Sequence, residues 1–169
     1  AINTQGQEVD GVMAEDIDMA KEKKKDVNER VLPLFKYAYE GKDFYILSVR
    51  GSGLWDEIWG NIALESDLNT IAGASFDHKG ETPGLGAEIK DNPTFSENFK
   101  NKEIFRDGEF VSVKVRKGGA QDPTYEVDGI SGATVTADGV DKMLRSGIEL
   151  YLPYLEKIKG SSMESMLQQ

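Results

Sequence analysis

Cysteine is absent from the 169 residues, and histidine occurs once, at His78. Such a chain has no disulfide, no thiol chemistry and no cysteine-held iron–sulfur cluster. Zinc sites made mainly of Cys and His are excluded too, and a Ser-His arrangement would have to use His78. Any redox chemistry must be carried by an organic cofactor. No apolar run approaches the ~18 residues that span a bilayer. The longest, Ile148 to Leu155, is short and contains Pro153. Basic residues are few: 20 Lys and Arg stand against 30 Asp and Glu, for a net charge of −10. That balance argues against nucleic acid as a partner, since phosphate backbones need Lys and Arg on the binding face.

What remains suits one globular domain with a substantial core. Residues 12 to 30 read as a charged helix, and Lys21 to Lys25 as its solvated face. Phe44 to Arg50 is a strand by its β-branched and aromatic content, ended by Gly51-Ser52-Gly53. Leu54 to Leu64, Thr70 to Phe76 and Glu109 to Arg116 read as further strands. Trp55 and Trp59 share a face if the first of these holds. A short helix is expected over Pro93 to Lys100. The clearest element is the last helix, where Val140, Met143, Leu144, Gly147, Ile148 and Tyr151 fall on one face. Strands in succession with helices toward the ends predict an α+β fold: an antiparallel sheet flanked by N- and C-terminal helices.

The segment Asp128 to Thr136 is the most informative. It runs small and hydroxyl residues, Ser131, Gly132, Ala133 and Thr134, into the start of that helix, with Thr136 at its mouth. Gly129 and Gly132 tolerate positive φ and let a bulky group approach the backbone. A helix N-terminus offers free N–H groups to a phosphate. Thr136 then either caps the helix or carries the phosphate covalently. A threonine hydroxyl is a poor nucleophile unless activated, and no base lies near it in sequence.

Three further segments carry candidates. Gly51-Ser52-Gly53-Leu54-Trp55 either lets a planar ring approach, beside Leu54 and Trp55, or is a turn with Trp55 in the core. In Gly80 to Gly86, Glu81 and Thr82 have the groups to hydrogen-bond a heterocycle, and Leu85 lies beside them; the alternative is a structured loop. Lys117-Gly118-Gly119-Ala120 lacks the spacing of a P-loop or a dinucleotide fingerprint and reads as a turn with one local positive charge.

In this order, Gly-Ser-Gly-Leu-Trp (51–55), Ala-Leu-Glu-Ser-Asp-Leu-Asn-Thr-Ile (63–71), Gly-Glu-Thr-Pro-Gly-Leu-Gly (80–86), Lys-Gly-Gly-Ala (117–120) and Val-Asp-Gly-Ile-Ser-Gly-Ala-Thr-Val-Thr (127–136) resemble the C-subunit of the sodium-translocating NADH:quinone reductase. The related G-subunit of the Rnf electron-transport complex shares the domain. The resemblance covers roughly residues 40 to 156. It implies FMN held by a phosphoester to Thr136, with Ser131, Gly132, Ala133 and Thr134 shaping the loop. It places the isoalloxazine among Leu54, Trp55 and the Glu81, Thr82 and Leu85 loop. It further implies attachment by a flavin transferase using FAD and magnesium, and partnership with the other subunits of a membrane complex. The expected organisation is a helical segment over 1–40 after an N-terminal membrane anchor, an FMN-binding domain over 41–159 and a tail over 160–169. The domain would face the periplasm or outer side of the cytoplasmic membrane. An Rnf-type subunit, or a binding or assembly domain without redox chemistry, are the alternatives.

Overall fold

A computed structural model describes all of residues 1–169. Residues 1–32 form a strap. β1 (Ile2–Asn3) leads through a 3-10 turn at Ala14–Asp16 to α1 (Met19–Glu22), one turn capped by the Asp18 carboxylate. A second 3-10 turn at Val27–Glu29 precedes β2 (Val31–Leu32), which pairs antiparallel with β1. The continuous helix expected over 12–30 is therefore corrected to these short pieces. Its charges are tied into tertiary bonds that a solvated helix would not make. Buried Glu22 accepts from Lys25 Nζ at 2.7 Å and from the Val31 N–H at 2.8 Å, and the Arg30 guanidinium donates to the Lys23 and Lys25 carbonyls.

Four strands form the central antiparallel sheet, in spatial and chain order: β3 (Leu34–Tyr39), β4 (Lys42–Ser52), β5 (Glu57–Leu64) and β6 (Ile71–His78). β3 lies inside the span read as helical, a second correction to the 1–40 segment. Its hairpin to β4 closes through Glu40 and Gly41, both at positive φ, the two-residue turn that matches strand twist. β5 begins three residues later than the sequence suggests, because Leu54, Trp55 and Asp56 belong to the turn between β4 and β5. Trp55 and Trp59 are thus not one strand face. The Arg50 guanidinium stacks on Trp59 at 4.7 Å, while Trp55 stands out from the turn.

After β6 come α2 (Glu88–Asp91) and α3 (Pro93–Glu97). They seat Phe95 and Phe99 against Phe76, with ring centroids 5.1–5.5 Å apart. The strand expected over Glu109–Arg116 is two strands. β7 (Phe105–Arg106) pairs with β8 (Glu109–Phe110), and β9 (Lys114–Arg116) follows after Ser112 takes φ 62°. A positive φ on a serine ends a ladder, and the chain changes direction there. β9 pairs in parallel with β10 (Glu126–Asp128), which sets the Lys117–Ala120 turn beside Gly129.

α4 (Thr134–Glu149) lies across β4, burying Ala137 together with Val140, Met143, Leu144 and Ile148 of the predicted stripe, whose last member, Tyr151, falls just beyond its end. Its glycines permit close approach. A Cβ on Gly147 would stand 2.7 Å from Val49 Cγ1, and one on Gly139 would overlap the Ser52 carbonyl. Pro153 cannot continue a helix from α4, so α5 (Leu152–Leu167) starts anew. It runs through most of the residues read as a tail. Between the two helices, the buried Tyr151 hydroxyl sits 2.9 Å from the Pro33 carbonyl and 3.0 Å from that of Ser48. The fold is α+β, an antiparallel sheet with helices at both ends. No helix is long and apolar enough to cross a membrane.

Candidate flavin site

Three motifs separated in sequence meet at one buried hydrogen bond. Thr136 is 1% exposed, and its hydroxyl donates to Oε1 of Glu81 at 2.7 Å. The 4%-exposed Glu81 carboxylate also accepts from the Leu54 N–H at 2.6 Å and the Trp55 N–H at 2.9 Å. Burial by itself pushes the Glu81 carboxyl up. The hydrogen bonds from Thr136 and from the Trp55, Leu54 and Asp56 backbone outweigh it and leave the pKa below the ordinary 4.5. The Glu81 N–H donates to Nδ1 of His78 at 3.0 Å, so the single histidine holds the loop in place.

Glycines make the convergence possible. A Cβ on Gly53 would overlap the Glu81 carboxylate, and one on Gly86 would stand 2.6 Å from Thr136 Oγ1. Neither glycine has a positive φ; the space is what they supply.

Thr136 is not the N-cap considered as its structural role. The cap position is Ala133, without a side-chain bond, and Thr136 is the third helical residue, facing Glu81. No titratable partner lies near Thr136 in sequence, but the fold brings a carboxylate from 55 residues earlier in the chain into contact with it.

A cavity of about 260 Å3 opens beside the pair, between Leu54, Trp55, Thr82 and Leu85 on one side and Gly132 to Thr136 on the other. Its rim is apolar and open to solvent: Leu54 is 53% and Trp55 69% exposed, with Leu85 and Val135 also exposed. The reading of Trp55 as a core residue is overturned. Its indole N–H donates to Thr82 Oγ1 at 3.1 Å, which fixes the ring as one wall. Large apolar side chains held in water around a cleft mark a surface meant to be covered. Side-chain-free Gly86 and Gly132 complete a slot suited to a planar ring, with a hydroxyl at its base. These residues fit a flavin mononucleotide.

Behind the loop lies a second cavity of about 470 Å3, lined by Lys117, Gly118, Gly119, Asp128, Ser131 and Asp138 among others. Gly132 and Thr134 line both. The parallel pairing of β9 and β10 creates it, and the Ala120 N–H donates to Asp128 at 2.7 Å across its edge. Ser131 is exposed, Ala133 is buried and Thr134 half-buried. Leu54, Trp55, Thr82, Leu85, Gly132, Ala133, Thr134 and Thr136 thus line the first cavity, and Ser131 lines only the second. Glu81 lines neither: its carboxylate is taken up by Thr136 and two backbone N–H groups rather than offered to a heterocycle.

These features define an FMN-binding domain, and the model of that family matches residues 53–149. The chain belongs to the family. The C-subunit of Na(+)-translocating NADH-quinone reductase from Pseudomonas aeruginosa is 39% identical over 155 residues, 85% of this chain and 57% of that protein. Its counterpart from Haemophilus ducreyi is 38% identical over 119 residues, 69% of this chain and 46% of that protein. The crystal structure of the C-subunit from Parabacteroides distasonis is 45% identical with a TM-score of 0.83, covering 91% of this chain and 75% of that one. Shewanella oneidensis NqrC is 30% identical with a TM-score of 0.79, covering 94% and 82%. Within its family, the chain belongs with the C-subunit of the Na(+)-translocating NADH-quinone reductase. It spans about half the length of the curated relatives it matches.

Proposed function

We propose that this chain is the electron-carrying FMN domain of a membrane-bound, sodium-translocating NADH:quinone reductase, with FMN esterified to Thr136. The observation that carries the reading is the convergence of three motifs on Thr136 beside a solvent-open apolar slot. Bound flavin supplies the redox chemistry that a chain without cysteine cannot.

The chain's own residues do the rest. Leu54, Trp55 and Leu85 shed water from the slot and offer apolar area to a ring. Thr82 holds the Trp55 indole in orientation. Thr136 fixes the anchor on a helix whose first N–H groups have no intrahelical partner and favour an anion. Ser131, Gly132 and Thr134 shape the loop that turns into that helix. In this reading a flavin transferase makes the attachment from FAD with magnesium. The domain works against other subunits of the complex, on the outer side of the cytoplasmic membrane, behind an N-terminal anchor.

Co-expression with a flavin transferase tests this. The expected result is a fluorescent band that survives denaturing electrophoresis, with the FMN mass mapping to the peptide holding Thr136. A non-covalent or absent flavin under those conditions refutes the reading.

A further inference from the structure

We infer that Glu81 accepts the Thr136 proton when the phosphoester forms, and that it holds the hydroxyl aligned for that reaction. This rests on the reading of Thr136 as the attachment point. Its own support is the buried 2.7 Å contact between a nucleophile and a carboxylate that two further N–H groups orient.

An ionised carboxylate can only accept, so the Thr136 proton must point at Glu81 across their 2.7 Å contact. The hydroxyl has one proton, and spending it there leaves the oxygen lone pairs free for an incoming phosphorus. Thr136 also lines the slot, so the approach is from the side on which the flavin would sit. The carboxylate cannot swing away. Leu54 and Trp55 N–H groups grip both its oxygens, and His78 grips its backbone N–H. Gly53 and Gly86 leave the only space in which the two side chains can touch. This is the arrangement of an activated hydroxyl, a nucleophile within hydrogen-bond reach of a base that a further group orients.

In the step, Thr136 Oγ1 bonds to the riboflavin-side phosphorus of a flavin dinucleotide. The bond from that phosphorus to the bridging oxygen breaks, and adenosine monophosphate leaves with the electron pair. The Thr136 proton passes to Glu81, and nothing is oxidised or reduced. The phosphorus attacked already bears the riboflavin ester, and a base within hydrogen-bond reach of the hydroxyl assists the attack by taking its proton. A well-placed carboxylate serves, even one whose pKa is depressed.

The test follows mass gain of the apo chain with flavin transferase, FAD and magnesium, over a range of chain concentrations and pH. Glu81→Gln should lower the saturating rate by about 100-fold or more, within the span of general acid–base effects. The chain concentration giving half that rate should stay at the wild-type value. The wild-type rate should fall in acid as Glu81 is protonated, and the variant should lose that limb. Glu81→Gln at the wild-type saturating rate, or a loss confined to the half-saturating concentration, overturns the inference. If Glu81→Gln does not fold, Glu81→Asp decides. It keeps the charge but draws it back by one methylene, and its saturating rate must fall. Wild-type mass on another residue, or none, refutes Thr136 itself. Mass on Thr136 with unaffected Glu81 variants refutes only the role of Glu81.

Discussion

Gly86 lies so close to Thr136 that a Cβ added to it would stand 2.6 Å from the threonine Oγ1. Its backbone φ is ordinary, so alanine there is opposed by contact alone. Overpacking of this kind costs about 1–3 kcal/mol. Gly86→Ala should lower the urea midpoint accordingly. Gly80, in the same loop, has nothing within 4 Å of its virtual Cβ and no positive φ. Gly80→Ala should be neutral or gain about 0.4–1 kcal/mol through the unfolded chain. Equal effects at both sites would show that the loop yields freely and that the contact with Thr136 is not fixed.

Thr136→Val removes a buried donor to a buried carboxylate. Bonds to charged groups contribute about 1.5–3 kcal/mol, more than the loss of a helix cap. The variant should fold, unfold at lower urea by that amount and carry no covalent flavin after co-expression with the transferase. Thr136→Ser keeps the hydroxyl and should be both stable and flavinylated. Covalent flavin on Thr136→Val would move the anchor elsewhere, with Thr134 the next candidate.

Elements with a local period were legible in the sequence. The stripe from Val140 to Ile148 is the buried face of α4, and the β-branched run at 44–50 is the middle of β4. The N-terminal strap was not. Its charges suggested a solvated helix, whereas Glu22 and Arg30 spend theirs on distant backbone groups. β3 does alternate Phe35, Tyr37 and Tyr39, but on an edge strand this aromatic face is exposed, and the strand falls inside the span read as helical. The site residues were legible as motifs, and their family resemblance assembled them. The Glu81–Thr136 bond was not, because contact across 55 residues leaves no periodic trace. For the same reason Gly53 and Gly86 read as turn glycines, while their use is to make room.

Glu126 supports the Lys117–Ala120 turn. The Gln121 N–H, the Arg116 guanidinium and the Asp122 N–H all donate to its carboxylate, which holds its pKa at about 2 against an ordinary 4.5. A depressed folded pKa stabilises above the unfolded value, and that contribution is lost as pH falls from 4.5 toward 2. Glu126→Gln should therefore be less stable than the wild type at pH 7. The gap between their urea midpoints should narrow steadily as the pH drops below that ordinary value. Other depressed carboxylates, Glu22 and Asp67 among them, titrate in both proteins and cancel in the difference. A gap that stays constant with pH would mean the carboxylate is not held ionised by these donors.

Trp55 should separate stability from function. Its ring is mostly in water and makes one side-chain hydrogen bond, to Thr82. Removing a surface group of that kind changes stability by no more than about 0.5 kcal/mol. Trp55→Ala should therefore unfold with the wild type. Covalent attachment at Thr136 should persist, because the Trp55 contribution to Glu81 is a backbone N–H that the variant keeps. What should change is the flavin. An indole against the ring excludes water and quenches emission, so Trp55→Ala should fluoresce more brightly and absorb at shifted wavelength when fully flavinylated. Trp55→Phe should fall between the two, since it restores an apolar wall without the N–H that fixes its angle. Spectra identical to wild type in both variants would place the ring away from this wall and leave Trp55 without a role at the site.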